Sequence, residues 1–263
     1  MKKVSIASET EEKIKTTYDM EDLRKKGELL QANLYKFEPY KNEITVEDYY
    51  NNNSLLTIEI DGKLSPSQNI QKIFKKYNKQ KNTLLASTNQ KNILTNELNY
   101  LESLIFEIQF SSTLENLSEI ENELVSEGFI KIQKTKKETV KSSYLKFNYN
   151  GFDIYVGKNN TQNDKLTFSV ANKLDFWFHV KNAPGSHTIL KTNNLPIPQE
   201  VFNFSASLAA FYSKLSSSPK VEVDFTQIKN VKKIPGAKPG MVIYENYKTI
   251  YIKPIDGSTF LIQ

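Results

Sequence analysis

Residues 66–110 carry one uninterrupted helical pattern, opened by Ser65-Pro66, a capping residue followed by Pro in the first turn. At ~1.5 Å per residue, so long a helix spans roughly 65 Å and cannot fold back inside a small globule. It needs a partner helix. With Ile70, Tyr77, Leu84, Lys91, Leu98 and Ile105 as heptad position a, position d holds Ile73, Gln80, Ser87, Leu94, Leu101 and Ile108. Both ends of the seam are apolar and its middle is polar, which predicts a coiled coil with a soft centre. Residues 9–36 place Ile14, Tyr18, Leu23, Leu30 and Leu34 at helical spacings among dense charge, and Pro39 ends the pattern. This arm, running the opposite way, is the nearest partner. Between the arms, Ile44/Val46 and Leu56/Ile58/Ile60 alternate like strands around Asn51-Asn52-Asn53, a small β tip over about 40–62. The arms differ in length and the first looks cut at its start, so further N-terminal sequence is expected in the parent protein.

A short helix follows at 114–127, closed by Gly128. Residues 131–141 are Lys-rich without a bulky apolar cluster and read as a linker. From Tyr144 the texture changes to short strands at 144–149, 152–157, 175–180, 186–191, 220–225, 241–245 and 248–252. Asn150-Gly151 and Asn246-Tyr247 look like hairpin turns. Helices are expected at 160–172 and, more clearly, at 198–215. The fold class is therefore α+β: a long antiparallel helical coiled-coil hairpin with a small β tip (1–130), a linker (131–141) and a compact α+β domain (142–263).

Hydrophobic residues make up 38% of the chain, a low share that a long solvated element explains. There is no Cys, which excludes disulfides and thiolate zinc sites. Met1–Glu12 lacks the apolar core of a signal peptide, and no window approaches ~18 apolar residues, so no membrane span is expected and the default location is cytoplasmic. The net charge of +5 is uneven: 20 Lys+Arg against 22 Asp+Glu in residues 1–140, and 15 against 8 in residues 141–263. The C-terminal +7 suits a phosphate-rich partner, or is simply a solvated basic surface.

The run Leu174–His187 holds the only Trp and both His residues of the chain, beside Pro184-Gly185. Two His could begin a metal site, but a third ligand is required and no Cys exists; Asp175 is nearby, yet one carboxylate and two His on a strand–turn–strand are weak evidence, so no metal is expected. Ser186 and His187 are neighbours on a strand and point to opposite faces, so they are no nucleophile–base pair. No catalytic residue and no cofactor are assigned. Alternation puts Phe176, Phe178 and Val180 on a wholly apolar face, and Asp175, Trp177 and His179 on a mixed one suited to binding. Trp177 has two readings, a stacking platform for a base or a core residue. Gly157-Lys158-Asn159-Asn160 could offer backbone N–H groups to a phosphate, or form an ordinary Asn-capped turn. It lacks the ending of a P-loop. Lys232, Lys233 and Lys238 sit on a Pro/Gly loop, as phosphate contacts or as solvated charge.

Several blocks in order resemble the NFACT-R domain of the NFACT family. They are Gly151–Asn160, Asn163–Thr167, the Asp-x-Trp-x-His and Pro-Gly-Ser-His of Asp175–His187, and Lys232-Lys233 with Lys238–Val242. Upstream, Asp22–Asn33 and Ser65–Lys79 are similar to the family's coiled-coil arms, so the resemblance covers nearly the whole chain but only the C-terminal half of a typical member. It implies a non-catalytic RNA-binding module of a ribosome-quality-control factor. The implied partners are large ribosomal subunits (rRNA) still holding peptidyl-tRNA, and the tRNA used to add an untemplated alanine tail. It places Asn159, Asn163, Asp175, Trp177, His179, Gly185, Ser186, His187, Lys232, Lys233 and Lys238 at the RNA-facing site. A second hypothesis is a fibronectin-binding adhesin exported by an unrecognised route. A third, an enzyme, has no persuasive catalytic group.

Overall fold

The structure is a computed structural model that describes residues 20–131 and 143–262. The expected start of the first arm and nearly all of the expected linker lie outside these residues. Contacts divide the chain into two compact units, with the division inside the long helix between Glu97 and Leu98.

In the first unit, α1 (Met20–Ala32) is followed by β1 (Glu43–Asp48) and β2 (Ser54–Glu59), an antiparallel hairpin with Ile44 opposite Ile58 and Val46 opposite Leu56. Asn52 and Asn53 turn the chain with positive φ, as the Asn triplet predicts. α2 runs from Pro66 to Phe110, the span expected from its pattern. Its start is fixed by a reciprocal cap, in which Ser65 Oγ accepts from Gln68 N and Gln68 Oε1 accepts from Ser65 N. Leu29, Leu30, Ile44, Val46 and Ile58 form the core, with Ile70 and Ile73 of α2 packed on it. Gly27 lies against the Phe74 ring, where a Cβ would come within 2.8 Å. Late residues of α1 thus meet early residues of α2, so the two helices run antiparallel.

The heptad register does not persist into the second unit. Leu98, Ile105 and Ile108 are exposed, while Tyr100, Leu104 and Glu107 are buried. The reason is α3 (Leu114–Ser126), which folds back so that Ile120 packs on Tyr100 and Leu104. Glu123 of α3 also accepts a hydrogen bond from Tyr100 Oη at 2.8 Å. Residues 98–131 therefore belong by contact with the C-terminal unit, upstream of the boundary expected at 131–141.

The C-terminal unit is built on a six-stranded antiparallel sheet in the order β10-β7-β5-β6-β4-β3. Its strands are β3 (Leu145–Tyr149), β4 (Phe152–Val156), β5 (Phe176–Val180), β6 (Thr188–Leu190), β7 (Val221–Gln227) and β10 (Lys248–Ile252). Asn150 (φ 50°) and Gly151 (φ 83°) make the expected tight turn between β3 and β4. The hairpin expected around Asn246-Tyr247 does not form. β9 (Ile243–Tyr244) pairs instead with β8 (Val231–Lys232), while β10 joins β7. β6 is shorter than the expected 186–191, because Ser186 N–H donates to Tyr212 O and His187 N–H to Asn163 Oδ1.

α5 (Gln199–Phe211) covers one sheet face, burying Phe178 and Val180 with Val201, Leu208 and Ile154. The opposite face is not open. Leu166, Trp177, Ile189, Ile228 and Val231 form a second core there. α4 (Asn160–Lys165), one turn of π-helix at Leu166–Val170 and the β8–β9 ribbon supply its cover.

Candidate nucleic-acid interface

Asn159 anchors the segment in front of α4. Its side chain accepts from Gln162 N at 2.8 Å and donates to Glu119 of α3 at 2.6 Å. Two of the turn's N–H groups are committed within the chain and unavailable to a phosphate. Gly157 N donates to His187 O and Lys158 N to Gln162 Oε1. Asn163, also buried, fills the space beside Gly157, where a Cβ would sit 2.2 Å from its Oδ1. Asn160 reaches Ser103 of α2 (3.0 Å) and Glu123 of α3 (3.2 Å). These buried amides tie the helices to the sheet domain; Asn160 and Asn163 also line the cleft described below, and Asn159 does not.

Asp175 is likewise a structural residue, 1% exposed. Its carboxylate takes a hydrogen bond from Lys191 Nζ and the backbone N–H groups of Asn172 (2.7 Å) and Thr192 (2.9 Å). No acceptor capacity is left facing solvent, so a direct contact with RNA is not available to it. Ser186 is buried too. Gly185 bridges to Ser213, and a Cβ there would meet Val180 at 2.8 Å.

Trp177 is 1% exposed, which excludes a surface platform and selects the core reading. Its ring stacks on His179 (centroids 5.6 Å), meets His187 edge-on (5.2 Å) and touches Tyr244 (4.8 Å). Its Nε1–H has no hydrogen-bond partner, an arrangement that costs about 1–3 kcal/mol in a protein interior.

His187 is buried, with Nδ1 2.7 Å from Thr167 Oγ1. Thr167 gives its own proton to Asn163 O at 2.8 Å, so on this network Nδ1 of His187 is the donor. Burial, and then the adjacent His179 ring, push His187 down to about 3. Burial also lowers His179. Below the ordinary His range the unfolded chain takes up a proton that the folded chain refuses, so stability falls as pH drops from about 6.5 towards 3. For His187 this amounts to about 2 kcal/mol between pH 7 and pH 5. Urea midpoints across that range should show it, and His187→Asn should flatten the slope by up to one proton.

The three lysines of the 232–240 loop are not free charges. Lys232 pairs with Glu245 at 3.1 Å, Lys233 with Asp164, and Lys238 with Glu127 while lying over the Phe129 ring at 5.2 Å. The loop is held by its last glycine as well: Gly240 N donates to Asp164 Oδ1 at 3.0 Å, with φ 74° and Asn160 filling the Cβ position.

Together these segments enclose a cleft of about 400 Å³. Asn163, Trp177, His179, Gly185 and His187 line it. So do Asn99, Glu102, Ser103 and Tyr244, which the sequence did not single out. The sequence places Tyr244 in a strand and the α2 residues in a coiled coil and gives neither a site role. Lys232, Lys233 and Lys238 are not in the lining. Among the described residues no cluster of three or more His, Asp or Glu is placed to hold a metal ion.

Residues 2–143 match the family model described as NFACT N-terminal and middle domains, and residues 141–246 match the NFACT protein RNA binding domain. The chain belongs to the NFACT family. "Rqc2 homolog RqcH" of Streptococcus suis (strain 05ZYH33) is 37% identical over 249 residues, covering 94% of this chain and 44% of that protein. The protein of the same description from Bacillus subtilis (strain 168) is 37% identical over 241 residues, covering 89% and 42%. The chain thus spans less than half the length of these curated relatives. A solved structure, the C-terminal of the fibronectin/fibrinogen-binding protein from Streptococcus suis, is 32% identical with a TM-score of 0.78, covering 99% of this chain and 92% of that one. Within the NFACT frame, the cleft joins the two matched segments: Asn99, Glu102 and Ser103 come from the first, and Asn160 to Tyr244 from the RNA-binding segment.

Proposed function

We propose that this chain is the RNA- and ribosome-binding C-terminal part of a ribosome-quality-control factor. In this reading it binds large ribosomal subunits carrying peptidyl-tRNA and supports the recruitment of tRNA for C-terminal alanine tailing. It works in the cytoplasm and is a binding module, with the residues before 131 as the coiled-coil arm and those from 142 as the RNA-binding domain. The match of residues 141–246 to the NFACT RNA-binding domain carries this reading. The likeness to two RqcH proteins and the +7 charge of residues 141–263 support it.

Co-sedimentation with purified large subunits, with and without peptidyl-tRNA and at two salt concentrations, tests it directly. Stoichiometric binding that survives moderate salt is expected, and its absence from a folded protein would overturn the reading. Lys232→Glu and Lys233→Glu should each weaken RNA binding and flatten the plot of log K against log salt by about one unit per lost phosphate contact. Unchanged slopes would remove both lysines from the interface.

The name of the solved relative favours a second reading, binding of fibronectin. A basic domain also attracts acidic proteins nonspecifically, so binding to immobilised fibronectin counts only if it persists at high salt. Among the described residues no helix is long and apolar enough to cross a membrane.

A further inference from the structure

The cleft has chemistry that generic RNA binding does not require. Its floor is aromatic, with Trp177 in ring contact with both His179 and Tyr244. Trp177 Nε1–H is left without an acceptor. On the wall formed by α2, Glu102 is half-buried and makes no ion pair with any described residue. Among the described residues no Lys or Arg lines the cleft, so none of these would compensate a phosphate there. The volume is that of a small-ligand site, about 400 Å³. The group that fits is flat, uncharged and mixed in hydrogen bonding. It abuts the exposed edges of the rings and donates N–H to a carboxylate.

We propose that the cleft receives one unpaired nucleobase bearing an exocyclic amino group, with Glu102 accepting from that amine. The proposal rests on the RNA-binding reading and deepens it. Phosphates position a strand without reading it, whereas contacts to a base edge discriminate. The cleft therefore gives this domain a base preference.

Because Trp177 is the only Trp, its emission reports the cleft without a label. The full chain is titrated with short single-stranded oligoribonucleotides of A, of C and of U, following Trp177 emission and, separately, the anisotropy of end-labelled RNA. A and C oligomers should quench Trp177 and bind roughly tenfold tighter than U, which has no amino group. Glu102→Ala should bring that ratio close to one. Equal binding of all three with unchanged emission overturns base docking and leaves the RNA-binding reading standing. Equal quenching by U overturns the amino-group assignment. Failure of a folded protein to bind any RNA removes both the docking and the reading beneath it.

Discussion

Asp175→Ala should destabilise the C-terminal unit by about 3–5 kcal/mol, one of the two largest losses expected from a single substitution here. The carboxylate is 1% exposed and its partner Lys191 is 12% exposed. Removing one member leaves the other charged, poorly solvated and without a counter-charge. Two backbone N–H groups, of Asn172 and Thr192, lose their acceptor as well. Together these contacts fix the start of β5 to the segment after β6 and to the Val170 carbonyl that Lys191 also holds. Asp175→Asn keeps the shape but not the charge, and should recover only part of the loss. Urea unfolding followed by Trp177 emission measures both variants. An unchanged midpoint, combined with weakened RNA binding, would instead restore the RNA-contact role that the motif implies for Asp175.

The second large effect is expected at Trp177. Truncation to Ala removes the centre of the core formed with Leu166, Ile189, Ile228 and Val231, at about 3–5 kcal/mol. It also withdraws the ring that His179, His187 and Tyr244 pack against, so the cleft should lose its shape together with its stability. Trp177→Phe keeps most ring contacts and deletes the unpaired N–H, so its cost should be much smaller. Circular dichroism during thermal unfolding separates the two variants. Equal losses for Ala and Phe would mean that the indole N–H, not the packing, is what matters at this position.

Local pattern carried a large part of the fold. The long helix, the Asn-rich turn, the Asn150-Gly151 hairpin and most strands follow from periodicity and turn chemistry, because each depends on residues close in sequence. The alternation of β5 also held, with Phe178 and Val180 facing α5 and Trp177 opposite. What alternation could not tell is whether the mixed face is covered. The π-turn after α4 and the β8–β9 ribbon cover it, and the ribbon is far from β5 in sequence. The same limit explains Asn246-Tyr247. Its turn residue takes the expected positive φ, yet which strands pair on either side is a long-range choice.

The candidate site divides along the same line. Asn163, Trp177, His179, Gly185, His187 and Gly240, from three of the motif blocks, line one cleft. Their roles differed from expectation. Asn159, Asn163 and Asp175 spend their polar atoms on the chain itself, and the three loop lysines already have carboxylate partners. A side chain's partner is set by whatever the fold brings within about 3 Å, which spacing along a strand does not encode. The sequence by itself determined the helical and strand segments, the basic C-terminal half and the family, because these reside in local pattern and composition. Only the tertiary structure decided that Trp177 is a floor rather than a platform, and that Glu102 and Ser103 of a helix read as coiled coil complete the cleft. Burial and convergence are properties of contacts between residues far apart in the chain.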